Sequence, residues 1–192
     1  MGQPTEGGRR LMVLFTMNGD GVDVEAERAM AADRNETGGE AGLIPFGGSY
    51  KVGGQAGTEY KDAESNEHGA GKALAWTSGI NDGPGNGMLM RVDASGYESM
   101  WLRFDARSTK TGSPFVILEG RIDGRGAFQQ IGERVTFAQD SAFHEHVIDL
   151  SAVSGMNGAA SVELRWVFAP GTGGNGTTRI DNVELRGVKR GS

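Results

Sequence analysis

The residues best equipped for chemistry lie in strand-like segments. In YESMWLRFDAR (97–107), the apolar Met100, Leu102 and Phe104 alternate with Trp101, Arg103 and Asp105. A period of two sends successive side chains to opposite faces of a sheet, so the first three point to a core and the second three outward. Glu119 and Arg121 share one face of FVILEGRI (115–122), and Glu163 and Arg165 oppose Val162, Leu164, Trp166 and Phe168 in SVELRWVF. An aromatic ring beside planar guanidinium and carboxylate groups suits sugar recognition. The ring stacks on apolar C–H faces while the forks bond hydroxyls, carboxylates or sulfates. Trp101, Arg103, Asp105, Glu119, Arg121 and Arg165 are therefore the candidate ligand-binding residues. The same residue types also describe a solvated sheet face laced by cross-strand ion pairs, each worth fractions of a kcal/mol.

A second constellation lies in TTRIDNVELRG (177–187). Ile180 has one parity, and Val183 and Leu185 have the other, so the register slips at Asp181-Asn182. A β-bulge sets two residues against one and re-aims a side chain that would otherwise face the wrong way.

Other chemistry is weakly supported. TMNGDGVDVEAE (16–27) partly matches an EF-hand loop, but Thr16 stands where an Asp is required and Asp23 where an apolar residue should pack. His144 and His146 share a strand face with no third ligand nearby, which reads as an ordinary solvated face rather than a catalytic zinc site. Asp105, Glu119, Asp123 and Glu163 are carboxylates from which spacing selects no glycosidase pair. Nucleophile-elbow, P-loop and HExxH motifs are absent.

The elements that must position these residues are strands at roughly ten-residue intervals: KALAWTSG, MLMRV, residues 97–107, 115–122, GAFQQIGERVTF, FHEHVIDL and SVELRWVF. Asp123-Gly124 is a strong hairpin signal. LMVLFTM (11–17) reads as the first strand, residues 18–49 as a loop with at most one helical turn, and Ser49 to Gly71 as a polar stretch. This pattern predicts an all-β fold, an antiparallel β-sandwich of jelly-roll type. Residues 11–188 are expected as one domain, with 1–10 a linker end and 189–192 a tail.

Composition narrows the partners. The net charge of −6 leaves no general basic surface for a phosphate backbone, so nucleic acid is not expected. No apolar run approaches the ~20 residues of a membrane-spanning helix. Cysteine is absent, which removes thiol catalysis and thiolate metal sites. The 33 glycines accompany ample apolar residues, a turn-rich globular composition rather than a disordered one.

The ordered pieces MNGDG, AWTSG, SGYESMWLRFDARSTKTG, the DG hairpin, VIDLSAV, VELRWVF and GTTRIDNVELRG resemble a glycine-rich β-sandwich domain of secreted and surface-anchored bacterial proteins. They are also similar to jelly-roll carbohydrate-binding modules. That resemblance implies a polysaccharide partner, neighbouring domains in a longer secreted or cell-surface protein, and a structural calcium where the first and last strands meet. Its implied ligands are Asp181, Asn18 and Asp20, with backbone carbonyls completing the six to eight oxygens that calcium requires. The alternative role for Asp181 is to accept backbone N–H bonds and tie down the last strand. The leading expectation is thus a non-catalytic module for an anionic, uronic or sulfated polysaccharide. The rivals are a spacer sandwich with all three tryptophans buried and a jelly-roll enzyme acting on glycans.

Overall fold

In the computed structural model, which describes residues 8–17, 30–47, 49–61, 67–78 and 85–191, all regular structure is strand. No helix long and apolar enough to cross a membrane occurs among those residues. The first half of the chain forms β1 (Arg9–Phe15), β2 (Met30–Ala31), β3 (Arg34–Asn35), β4 (Ala41–Phe46), β5 (Ser49–Ala56), β6 (Tyr60–Lys61), β7 (Glu67–His68), β8 (Lys72–Ser78) and β9 (Gly87–Val92). The second half forms β10 (Tyr97–Ser108), β11 (Phe115–Ile122), β12 (Arg125–Gln130), β13 (Val135–Thr136), β14 (His144–Asp149), β15 (Val162–Phe168) and β16 (Gly176–Lys189).

These strands make two antiparallel sheets, with β6 and β7 pairing separately. Sheet A runs β14-β10-β16 and then forks. β1, followed by β3, pairs the second half of β16, while β8, followed by β5, pairs its first half. Sheet B runs β12-β11-β15-β9-β4-β2, with β13 also on β11. The architecture is a β-sandwich, as the sequence pattern predicts.

The alternation in the sequence becomes the core. Met100, Leu102 and Phe104 of β10 meet Val162, Leu164, Trp166 and Phe168 of β15 in one buried cluster. Edge-on ring contacts join the layers, Trp76 to Phe168 at 4.7 Å and Phe104 to Trp166 at 5.9 Å between centroids. Such pairs add about 0.5–1.5 kcal/mol each beyond the burial of their area. Asp123 and Gly124 both have positive φ, 51° and 65°, the geometry of a tight hairpin between β11 and β12.

The segments read as loop and polar stretch hold strands: the two-residue β2 and β3 and the longer β4 in the first, β5 and the two-residue β6 and β7 in the second. AGLIPF carries Pro45, which demotes a strand in sequence reading. Here β2 pairs β4 only at Gly42 and Leu43, so the proline sits beyond the last demand from that neighbour. Residues 24–29 of the segment considered for a helical turn lie outside the described residues.

Candidate functional site

The six candidate ligand-binding residues divide between opposite sides of the sandwich. Trp101, Arg103 and Asp105 are on the outward face of sheet A, whereas Glu119, Arg121 and Arg165 are on the outward face of sheet B. They share outward parity but not a surface, because parity does not say which sheet a strand joins.

The sheet A face is largely closed. Trp101 is only 7% exposed and has the Arg186 guanidinium 5.5 Å from its ring. Arg186 pairs with the buried Glu184, and Arg103 bridges Glu145 and, at 3.9 Å, Glu184. Leu11 and Leu14, cross-strand from Arg186 and Glu184, form a small buried cluster of their own. A sugar polymer has no exposed ring here to stack on. Trp76 and Trp166 are buried as well.

The sheet B face is more open. Glu163 lies between Arg91 of β9 and Arg121 of β11; Arg91 Nε donates at 3.0 Å and Arg121 Nε donates to the other carboxylate oxygen. The Arg121 hydrogen bond, aided by Arg91, holds the Glu163 carboxyl below its ordinary pKa against the opposing effect of burial. Arg165 Nε donates to Glu119 at 2.8 Å. Phe128 of β12 supplies the aromatic ring, with the Arg165 and Arg121 guanidinium carbons 4.1 and 4.5 Å from its centroid. Ile44, Leu89, Ile117 and Val167 are half-buried on the same face.

Two clefts flank the hairpin turn beside this face. One of about 440 Å³ is lined by Arg91, Asp123, Arg125, Ser161 and Glu163. The other, about 390 Å³, has an apolar floor of Ile122, Ile131 and Met156 with Arg121, Arg125 and Gln129 around it. Phe128 and Arg91 were not among the candidates. Arg91 was legible, since it alternates with Met88, Met90 and Val92. Phe128 has the parity of Gln130, which pairs with the outward Glu119, and the two-residue shift between Gly120 and Ile122 slides it along β11 without changing its face.

The slip in TTRIDNVELRG is a β-bulge. Arg103 pairs Glu184 and Asp105 pairs Asp181, so Phe104 faces two residues, and Asn182 takes φ 49°. On the other edge of β16, β1 ends at Val183 and β8 begins at Ile180, leaving Asp181 and Asn182 in the fork of the sheet. The residue after Gly57 fills it. Thr58 N–H donates to Asp181 Oδ2 at 2.8 Å, and Asn182 Nδ2 donates to the Thr58 carbonyl at 3.4 Å and to Asp105 Oδ2 at 2.9 Å. Asp181 Oδ1 accepts from Asn182 N–H at 2.9 Å. Gly57 must be glycine, because a Cβ would run into Asp181 Oδ2 and stand 2.7 Å from the Lys72 carbonyl oxygen. Burial pushes the Asp181 carboxyl up to about 7; the Thr58 and Asn182 N–H groups oppose this, and the Asp105 and Asp33 charges add to it. Burial likewise raises Asp105.

Among the described residues no group of three or more His, Asp and Glu is arranged to hold a metal ion. Asn18 and Asp20 lie outside the described residues. His144 is exposed and 2.9 Å from Asp140, but His146 is not on a solvated face: it packs on Phe104 and Phe137 at centroid distances of 5.3 and 5.7 Å. Its inward parity on the edge strand β14, opposite Phe104, accounts for that.

No family model matches the chain and no curated protein aligns with it. Among solved structures it is similar to the CBM22-1 xylan-binding domain of Paenibacillus barcinonensis Xyn10C, at 8% identity and TM-score 0.45, covering 94% of this chain and 96% of that one. TmCBM61 in complex with β-1,4-galactotriose gives 12% identity and TM-score 0.42 over 76% and 86% of the two chains. The family 11 carbohydrate-binding module of Clostridium thermocellum Lic26A-Cel5E gives 15% and 0.43 over 85% and 96%. At such identity and superposition, what those proteins bind is said of them alone; the β-sandwich assignment rests on the strand pairing itself.

Proposed function

We propose that this chain is a non-catalytic carbohydrate-binding module whose ligand lies across the outward face of sheet B. The observation that carries the proposal is the placement of Phe128 beside Arg121 and Arg165, next to the Arg91–Glu163–Arg121 bridge. Half-buried Ile44, Leu89, Ile117 and Val167 offer apolar surface for pyranose C–H faces, and the guanidinium forks retain N–H groups for oxygen acceptors.

An anionic glycan suits this face best. Arg91, Arg121, Arg125 and Arg165 face Glu119, Asp123 and Glu163, a local positive excess on a chain of net charge −6. Arg91, whose side chain is 49% exposed, is the fork best able to engage a ligand carboxylate or sulfate. Affinity electrophoresis through neutral, uronic and sulfated polysaccharides tests this. Retardation by an anionic polysaccharide supports it, and unretarded migration through every gel removes it. We place the domain in a secreted or cell-surface bacterial protein beside other domains.

Calcium is a separate proposal. Asp181 and Asp105 are buried carboxylates whose pKa values burial raises, and no ion pair reaches Asp181 among the described residues, so a bound cation would relieve their charge. Asp181, Asp105 and the Thr58 carbonyl would contribute oxygens, with Asn18 and Asp20 as further donors. The ion would hold the fork of sheet A together.

One observation favours a spacer domain instead: Trp76, Trp101 and Trp166 are all buried, so no tryptophan offers a stacking platform.

A further inference from the structure

The outward face of sheet B continues past Phe128 along β11. Phe115, Ile117, Glu119 and Arg121 share one parity, opposite the core residues Val116 and Leu118, so Phe115 lies on the same surface at the far end of the strand. The Phe128 ring lies against Arg121 and Arg165, and Arg165 is the cross-strand partner of Glu119, so this ring marks the 119–121 end of β11. At the strand rise per residue, Phe115 is about 14–20 Å from there. Half-buried Ile117 and its partner Val167 carry the surface between the two rings.

The far end holds a second pairing of ring and guanidinium. The Arg134 guanidinium carbon is 4.7 Å from the Phe115 centroid. Val135 and Thr136 pair Val116 and Phe115, and Arg134 directly precedes them on that edge of β11. Arg91, Arg121 and Arg165 give N–H groups to Glu163 and Glu119, whereas Arg134 is exposed and its guanidinium makes no hydrogen bond or ion pair among the described residues. A guanidinium stacked on a ring keeps its in-plane N–H groups available to an oxyanion.

We propose that Arg134 and Phe115 form a second sugar subsite, which takes a carboxylate- or sulfate-bearing residue of an anionic glycan whose chain runs along β11 from the Phe128 ring. The Phe115 ring offers apolar surface to pyranose C–H groups, and the Arg134 fork binds the acidic group. No mono- or disaccharide reaches both rings, so the ligand is an extended stretch of polymer rather than a single terminal sugar. The subsite rests on the sheet B reading above and adds to it a chain direction, a minimum length and an arginine that no carboxylate of the face engages.

Calorimetry of wild type, Arg134→Gln, Arg134→Lys and Phe128→Ala against galacturonate oligomers and sulfated galactose oligomers, each from the disaccharide upward, reads the subsite through chain length. Wild-type affinity is expected to climb until the chain spans both rings and then to level off. Arg134→Gln should lose about tenfold on the longest oligomers and much less on the disaccharides, and Arg134→Lys should recover part of that loss. A loss in Arg134→Gln that is the same at every length, or no loss, overturns the second subsite, and so does a wild-type affinity already level at the disaccharide. In those cases weaker binding by Phe128→Ala leaves the sheet B reading standing. Absence of wild-type binding to every oligomer removes both. A length-dependent loss confined to galacturonate assigns a carboxylate to the subsite, and one confined to the sulfated oligomers assigns a sulfate.

Discussion

Asp181 accepts the backbone N–H of Thr58 at 2.8 Å across 123 residues of sequence, and the adjacent Asn182 donates to the Thr58 carbonyl. Together the two side chains do for Thr58 what a neighbouring strand would do, at the gap on β16 between the reach of β8 and that of β1. The bulge therefore converts a gap in the sheet into a hydrogen-bonded seam.

This seam separates the two roles of Asp181. Asp181→Asn keeps an acceptor for the Thr58 N–H, whereas Asp181→Ala leaves that N–H without one and should cost about 1–3 kcal/mol. If calcium is bound, EDTA should lower the wild-type melting temperature, since a ligand at a hundredfold excess over Kd adds about 2.7 kcal/mol. Both variants should then be insensitive to EDTA. Equal wild-type melting with and without chelator would leave Asp181 as a backbone acceptor alone.

His146 should make stability fall in mild acid. Burial, followed by the charge of His144, lowers its pKa from 6.5 to about 4, while Glu145 opposes. The unfolded chain then binds the proton first as pH drops, so this contribution is intact above pH 6.5 and is lost progressively towards pH 4. Denaturant titrations at several pH values should show His146→Phe losing less stability than wild type across that window, by on the order of 1 kcal/mol after allowance for partial exposure. Identical slopes for the two proteins would contradict the assignment.

Tryptophan emission should be blue and poorly quenched by acrylamide, because Trp76, Trp101 and Trp166 are 2%, 7% and 0% exposed. Polysaccharide binding on sheet B should leave it unchanged. A red-shifted, readily quenched spectrum would mean that Trp101 is open on sheet A.

Local features were legible in the sequence. Alternation marked Met100, Leu102 and Phe104 as core, the Asp-Gly pair marked the hairpin, and the parity slip marked the bulge. Long-range features were not. Nothing in the spacing of Trp101 and Arg121 states that β10 and β11 enter different sheets, and nothing near Asp181 points to Thr58. β4 was hidden by Pro45, and β5 by Gly53-Gly54 within a polar stretch. The candidate ring changed identity for the same reason: local alternation puts Phe128 on the outward side of β12, but only the pairing of β12 with β11, and of β11 with β15, brings it to Arg121 and Arg165.

Isothermal calorimetry of wild type and Phe128→Ala, each against neutral, uronic and sulfated polysaccharides, tests the sheet B face most directly. Phe128 is half-exposed on the β12 hairpin, so its truncation leaves the core in place. Wild type should bind at least one anionic polysaccharide, and the variant should bind it at least about tenfold more weakly, a loss of about 1.4 kcal/mol. Absence of binding by wild type to every polymer, or equal affinity of the two proteins, would contradict a carbohydrate site at Phe128.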